Sequence, residues 1–199
     1  MLNKGITPYV PGKGSLGASG DLAPLAAIAA VATCDAEGGG YSGKAWFEGE
    51  LLDGDEAMRK AGIPRLKLIA KEGNSLINGT SFMTATGCLA IDRCTKLIRH
   101  AEVAAAMCLE AMLAASDAFH PSLHAASNQK GQISVAENLR KLLQGSRMID
   151  STDRVQDAYS LRCIPQVLGP VKDTVAFARG YIERTLNAGI DNPLIFESD

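Results

Sequence analysis

The stretch SFMTATGCLAIDRCTKLIRHAEVAAAMCLEAMLAA, from Ser81 to Ala115, decides the fold. Leu89, Cys94, Leu97, Ile98, Ala101, Ala104, Ala105, Cys108, Leu109, Met112 and Leu113 recur close to a helical period, and no proline interrupts them. The spacing predicts one helix of roughly 35 residues, where the average is about 11–12. Its many alanines permit close approach between helices. Val103 to Ala115 is the most apolar part, yet it carries Glu110 and is bounded by Glu102 and Asp117, too short and too acidic for a bilayer span. Working outward, an Ala-rich helix is predicted from Asp21 to Cys34, with Pro24 in the first turn where its missing N–H costs little. An amphipathic helix is predicted over Val135–Leu143, ended by Gly145. Another long one is predicted over Pro165–Leu186, with Gly169-Pro170 as a kink or a late start. The expected fold class is mostly α, a bundle of long helices packed side by side.

Composition agrees. Hydrophobic residues make up 46% of the 199 and charged residues 21%, an ordinary globular balance. Aromatics are only 5%, so the core must come from Ala, Leu, Ile, Val and Met. The net charge of −2, with no Lys/Arg block, argues against nucleic acid as partner. Five cysteines without a C-x-x-C pair, and a start lacking an apolar targeting core, point to reduced thiols in the cytoplasm. Residues 1–20 and 35–43 read as Gly-rich loop, 44–52 as a small hairpin or an extended excursion, and 55–61 as a short helix. Phe119–Lys130 reads as polar loop. His120 and His124 are spaced like a helical metal pair, but Pro121 argues against a helix and no third ligand follows, so no metal is expected. Residues 1–70 are thus expected to form a loop-rich portion and 71–199 part of the bundle.

The remaining informative stretch is Gly14-Ser15-Leu16-Gly17-Ala18-Ser19-Gly20-Asp21-Leu22. Gly12-x-Gly14-x-x-Gly17 matches a dinucleotide fingerprint literally, but no strand precedes it and the chain lacks βα alternation. A plain flexible loop is the simplest alternative. A chemical reading is also open. If the Gly20 nitrogen attacked the Ala18 carbonyl carbon, a five-membered ring would close, and loss of water from Ser19 would leave an exocyclic methylidene. Ala-Ser-Gly is the smallest set that still supplies a hydroxyl to lose, and the neighbouring glycines allow backbone angles that other residues resist.

With Ala23-Pro24-Leu25 added, this run resembles the signature of the histidine, phenylalanine and tyrosine ammonia-lyases, the aromatic amino acid ammonia-lyase family. The resemblance implies an L-aspartase/fumarase-like helical fold and a 4-methylidene-imidazol-5-one group formed autocatalytically from Ala18, Ser19 and Gly20, with no external cofactor. A second block, Lys71-Glu72-Gly73 with Leu76-Ile77-Asn78-Gly79-Thr80, implies that Asn78 holds the ring and the substrate amine. A third, Val155 to Cys163, implies Arg162 as the clamp on the substrate carboxylate, Tyr159 as a tyrosine near the ring and Gln156 as a polar contact. If that block is helical, these three share one stripe. A fourth, Leu186-Asn187 with Asp191-Asn192-Pro193, brings in Asn192, although Thr185 and Ala188 stand where the family usually has Glu and Ser. Ser127-Asn128-Gln129-Lys130-Gly131-Gln132 also departs from the Arg-Pro-His-x-Gly-Gln pattern of many histidine ammonia-lyases.

The resemblance implies elimination of ammonia from an aromatic amino acid, histidine foremost, to give an α,β-unsaturated acid. It also implies a homo-oligomer, a tetramer in the family, with no membrane partner. Family enzymes are much longer, and the tyrosine assigned as β-proton base lies in a segment before this one. Two alternatives stay open: a 2,3-aminomutase using the same group, and a catalytically inert fragment.

Overall fold

A computed structural model of the protein describes residues 1–18, 20–190 and 193–196. It is mostly helical and divides into two compact units, Met1–Thr86 with Thr185–Asp199, and Gly87–Arg184. No helix among the described residues is long and apolar enough to cross a membrane.

The first unit carries the short strands. In chain order they are β1 (Thr7–Pro8), β2 (Thr33–Cys34), β3 (Lys44–Phe47), β4 (Glu50–Asp53) and β5 (Leu66–Lys67), with helices α1 (Leu22–Ala32) and α2 (Gly54–Lys60) between them and α3 (Glu72–Ile77) after β5. β3 and β4 form the expected hairpin, with Ala45 opposite Leu52 and Trp46 opposite Leu51. Its two turn residues, Glu48 and Gly49, both have positive φ (50° and 84°), the backbone twist that suits a two-residue hairpin. β1 pairs antiparallel with β3. Ile6, Val31, Ala45, Ala57 and Met58 close the core beneath. Arg65, its side chain only 6% exposed, reaches in to donate to the carbonyls of Ala30 (2.9 Å) and Tyr41 (3.1 Å), which satisfies the end of α1.

The long helix is present as α4, Ser81–Ala111, 31 residues. It stops four residues short of the expectation, at a turn where Leu113 takes a left-handed φ of 52°. In the second unit, Ala106 and Leu109 of α4 pack with Ala114, Phe119, Val135, Leu139 and Leu143 into one core. α6 (Lys130–Leu142) and α8 (Ile164–Thr185) supply most of the rest. α8 continues through Pro170 rather than starting after it. The first turn of α6 lies against α8 so closely that a Cβ on Gly131 would sit 2.2 Å from the Gly169 carbonyl oxygen.

The expected loop at 119–130 is not one. α5 (Pro121–Ser127) forms there, because Pro121 occupies the first helical position, where proline is favoured, and the His120 ring accepts from the Ser122 N–H at 3.3 Å. His124 is 1% exposed and both its nitrogens are engaged. Nε2 lies 2.9 Å from the Ala118 carbonyl, so it carries the proton, and Nδ1 accepts from the Gln132 amide at 3.0 Å. Glu102 is a second surprise. It is 3% exposed, accepting from Asn138 at 2.8 Å and paired with Lys172 at 3.0 Å, so one carboxylate ties α4 to α6 and α8.

Only part of the predicted apolar stripe of α4 is covered. Ile98 and Leu109 are buried, but Leu89 and Leu97 are each more than 60% exposed, as is Met107 off that stripe. α8 likewise leaves Val167, Phe177 and Tyr181 open. Helices apolar on more than one face are suited to burial on several sides.

Candidate active site

In the first unit the small-residue loop is held down by its neighbour Asp21, which is wholly buried. Asp21 precedes α1 but makes no side-chain cap to it. Its Oδ2 instead accepts from the Met83 N–H (2.8 Å) in the first turn of α4. A carboxylate there satisfies an otherwise orphaned donor and lies at the positive end of a 31-residue helix dipole. Its Oδ1 accepts from the Ser15 hydroxyl, and Ser15 Oγ accepts in turn from the Gly17 N–H at 3.1 Å. The Asp21 N–H donates to the Gly79 carbonyl at 2.7 Å. One residue thus ties Ser15, at the start of the loop, to the first turn of α4 and the end of the loop to Gly79.

That crossing leaves no room. Gly20 has φ of 93°, and a Cβ built on it would lie 2.7 Å from both N and O of Gly79. The Gly20 backbone therefore rests directly on the Gly79 backbone. Gly79 is itself buried, with Ile190 behind it: a Cβ there would be 3.3 Å from two Ile190 carbons. Ala18 is exposed, and Asn78, half-buried at the end of α3, is one residue from the contact. The structure thus brings Ala18, Gly20 and Asn78 into one neighbourhood. Ser19 and Asn192 lie outside the described residues.

In the second unit, α7 (Tyr159–Arg162) is a single turn. It sets the Arg162 guanidinium carbon 4.2 Å from the centre of the Tyr159 ring, a cation–π geometry. Among the described residues Arg162 Nε is buried with no hydrogen-bond partner, a donor available to an acceptor. Gln156 is exposed and lies in irregular chain before α7, so the three-residue helical stripe is not formed. Residues 155–158 are irregular chain, tied at Asp157, whose Oδ2 accepts from the distant Ala115 N–H.

Sequence reasoning missed Asp21, Ser15 and Gly79 as parts of this arrangement. Asp21 looked like a helix start, and its partner Met83 is 62 residues away, beyond any local pattern. A buried acid beside a glycine-rich loop would have been the signal.

The sequence matches the aromatic amino acid lyase family profile over residues 1–199, and the chain belongs to that family. It is 45% identical over 201 aligned residues to a histidine ammonia-lyase of Caldanaerobacter subterraneus subsp. tengcongensis, covering 100% of this chain and 38% of that protein. A histidine ammonia-lyase of Clostridium tetani is 46% identical, over 98% of this chain and 37% of its own length. Among solved structures, a Pantoea agglomerans phenylalanine aminomutase superposes with a TM-score of 0.85 at 36% identity, covering 98% of this chain and 40% of that one. The chain thus spans a little over a third of the length of its curated relatives, and its fold is of their L-aspartase/fumarase-like, mostly helical type.

Proposed function

We propose that the whole protein eliminates ammonia from an aromatic amino acid, L-histidine first, using a 4-methylidene-imidazol-5-one closed from Ala18-Ser19-Gly20. The observation that carries this reading is the cradle around Gly20, whose backbone meets that of Gly79 with no space for a side chain. Such packing favours a compact bend at three small residues. Closure joins the Gly20 nitrogen to the Ala18 carbonyl carbon and releases two waters, one of them from Ser19. Asp21, tied to Ser15, Gly79 and Met83, holds the bend in place. Once formed, the group supplies an electron-poor carbon that takes the substrate amine and makes nitrogen a leaving group.

The chain's own residues do the rest. Arg162 grips the substrate carboxylate, because a guanidinium meets a carboxylate with paired donors. Its orphaned Nε and its support on Tyr159 suit that task. Fixing the carboxylate aligns the bonds that react and lowers the entropic part of the barrier. The family resemblance alone assigns Tyr159 and Gln156 as further contacts; the Tyr159 ring itself supports the Arg162 guanidinium. Asn78 donates to oxygen that gains charge, and the family resemblance alone offers Asn192 as a further contact. Histidine is favoured by the names of the curated relatives. The protein works in the cytoplasm, which its free cysteines fit. It works as a homo-oligomer, which would cover the exposed apolar faces of α4 and α8.

The second reading, an aminomutase that returns ammonia to the β-carbon, is favoured by the aminomutase structure at TM-score 0.85. One assay separates them. Incubated with L-histidine, L-phenylalanine and L-tyrosine, the whole protein should release free ammonia and an ultraviolet-absorbing unsaturated acid. Accumulation of a β-amino acid would establish the mutase, and no product from any of the three would refute both readings.

A further inference from the structure

The turn that carries Tyr159 and Arg162 cannot stand alone. It has four residues, and its N-cap, Ala158, offers no side-chain hydrogen bond. One helical turn has only the unfavourable nucleation step and none of the gain of propagation. Something outside it must fix its place.

The fixing contacts lie just before it. Asp157 has a side chain only 2% exposed. Its Oδ2 accepts from the Ala115 N–H at 2.7 Å, in the chain that leaves α4. Its Oδ1 faces Arg154 Nη2 at 3.4 Å, an ion-pair distance without hydrogen-bond alignment. The same Arg154 Nη2 donates to the carbonyls of Met112 and Leu113, the second at 2.8 Å. Arg154 and Asp157 thus close the C-terminal end of α4 from both sides. The cation takes the Met112 and Leu113 carbonyls just past the helix, and the carboxylate takes the Ala115 amide two residues further on. Asp150 adds a neighbouring tie, accepting from the Ser116 N–H at 2.7 Å. On the far side of the turn, Leu161 and Ile164 pack against the core formed by Leu109, Phe119 and Leu139.

We infer that Arg154 and Asp157 are positioning residues: a latch between the end of α4 and the Tyr159–Arg162 turn that sets where the Arg162 guanidinium meets the substrate carboxylate. The inference rests on the reading of Arg162 given under Proposed function. Neither latch residue touches the substrate. They act through the two-residue step from Asp157 to Tyr159. An isolated surface ion pair would not do this, but here the carboxylate is buried and the cation that faces it also donates to the Met112 and Leu113 carbonyls and to Thr152 Oγ1.

The test uses the whole protein and the substrate it turns over, L-histidine with histamine as the carboxylate-free competitor, or L-phenylalanine with phenethylamine. D157N keeps an acceptor for the Ala115 N–H but loses the charge that orients Arg154. It should raise KM about 10-fold while kcat stays within about 3-fold, and leave inhibition by the amine unchanged. R154K, which keeps the charge, should fall between D157N and the unaltered protein. R162A is the control and should abolish the preference for the carboxylate-bearing ligand. An unchanged KM in D157N, or equal weakening of amino acid and amine, overturns the latch. An intact carboxylate preference in R162A overturns the reading of Arg162 and the latch with it, so the two failures are distinct. Should D157N unfold, R154K gives the same comparison from the other side of the pair.

Discussion

Replacing Asp21 tests how the small-residue loop is held. In D21A the Met83 N–H in the first turn of α4 loses its acceptor in a buried place, and the Ser15 hydroxyl loses its partner. Hydrogen bonds to a charged group contribute about 1.5–3 kcal/mol each. The backbone bond from the Asp21 N–H to Gly79 survives, since it involves no side chain. The expected loss from the two bonds is therefore about 3–6 kcal/mol. D21N is the informative contrast. Its side-chain oxygen still accepts from Met83, and its amide can donate to Ser15 Oγ, which has a second lone pair beyond the one facing Gly17. Only the negative charge at the α4 N-terminus is lost, about 0.3–1 kcal/mol, up to ~2 where partly buried. Denaturant titration of both variants, with the transition of the first unit followed through Trp46, reads the difference directly. If D21A and D21N differ by less than about 0.5 kcal/mol, Asp21 does not hold the loop by these bonds and the argument fails.

Other outcomes follow from the second unit. K172M leaves Glu102 buried with only Asn138 as partner, and should cost about 2–4 kcal/mol, less than a fully enclosed pair because Lys172 is 30% exposed. E102M with K172M should recover most of that loss in a denaturant midpoint measurement, since paired removal leaves no lone charge. Glu137 is held below the ordinary carboxylate range by its hydrogen bond to Lys141 and then by that lysine's charge. A depressed acid adds stability above its unfolded value of about 4.3 that vanishes as pH falls through the folded value. E137Q should therefore flatten the acid limb of stability below about pH 4.3 and change nothing at pH 7 beyond the loss of an exposed pair.

Much of the fold was legible because it rests on short-range signals. α4 follows from an uninterrupted apolar period, α1 from alanines opened by Pro24, and the hairpin from two extended runs around Glu48-Gly49. α5 was hidden because Pro121 reads equally as a breaker and as a first helical residue, and only the His120 contact settles which. The extent of exposure was hidden too. Periodicity says which residues share a face but not whether anything covers it, so Leu89 and Leu97 were assigned to a face that stays open in this chain. At the candidate site, Ala18, Gly20, Asn78, Tyr159 and Arg162 stood out through their motifs. The groups that hold them did not. Asp21 to Met83 and Asp157 to Ala115 are bonds across 62 and 42 residues, and no local pattern encodes such partners.

The central claim is that a backbone pressed against Gly79 closes on itself at Ala18-Ser19-Gly20. Intact-mass spectrometry of the mature whole protein, with peptide mapping of residues 13–44, tests it most directly. The account predicts a deficit of two waters confined to that peptide and its absence in S19A. Full unmodified mass across Ala18, Ser19 and Gly20 in protein that still deaminates its amino acid would contradict it.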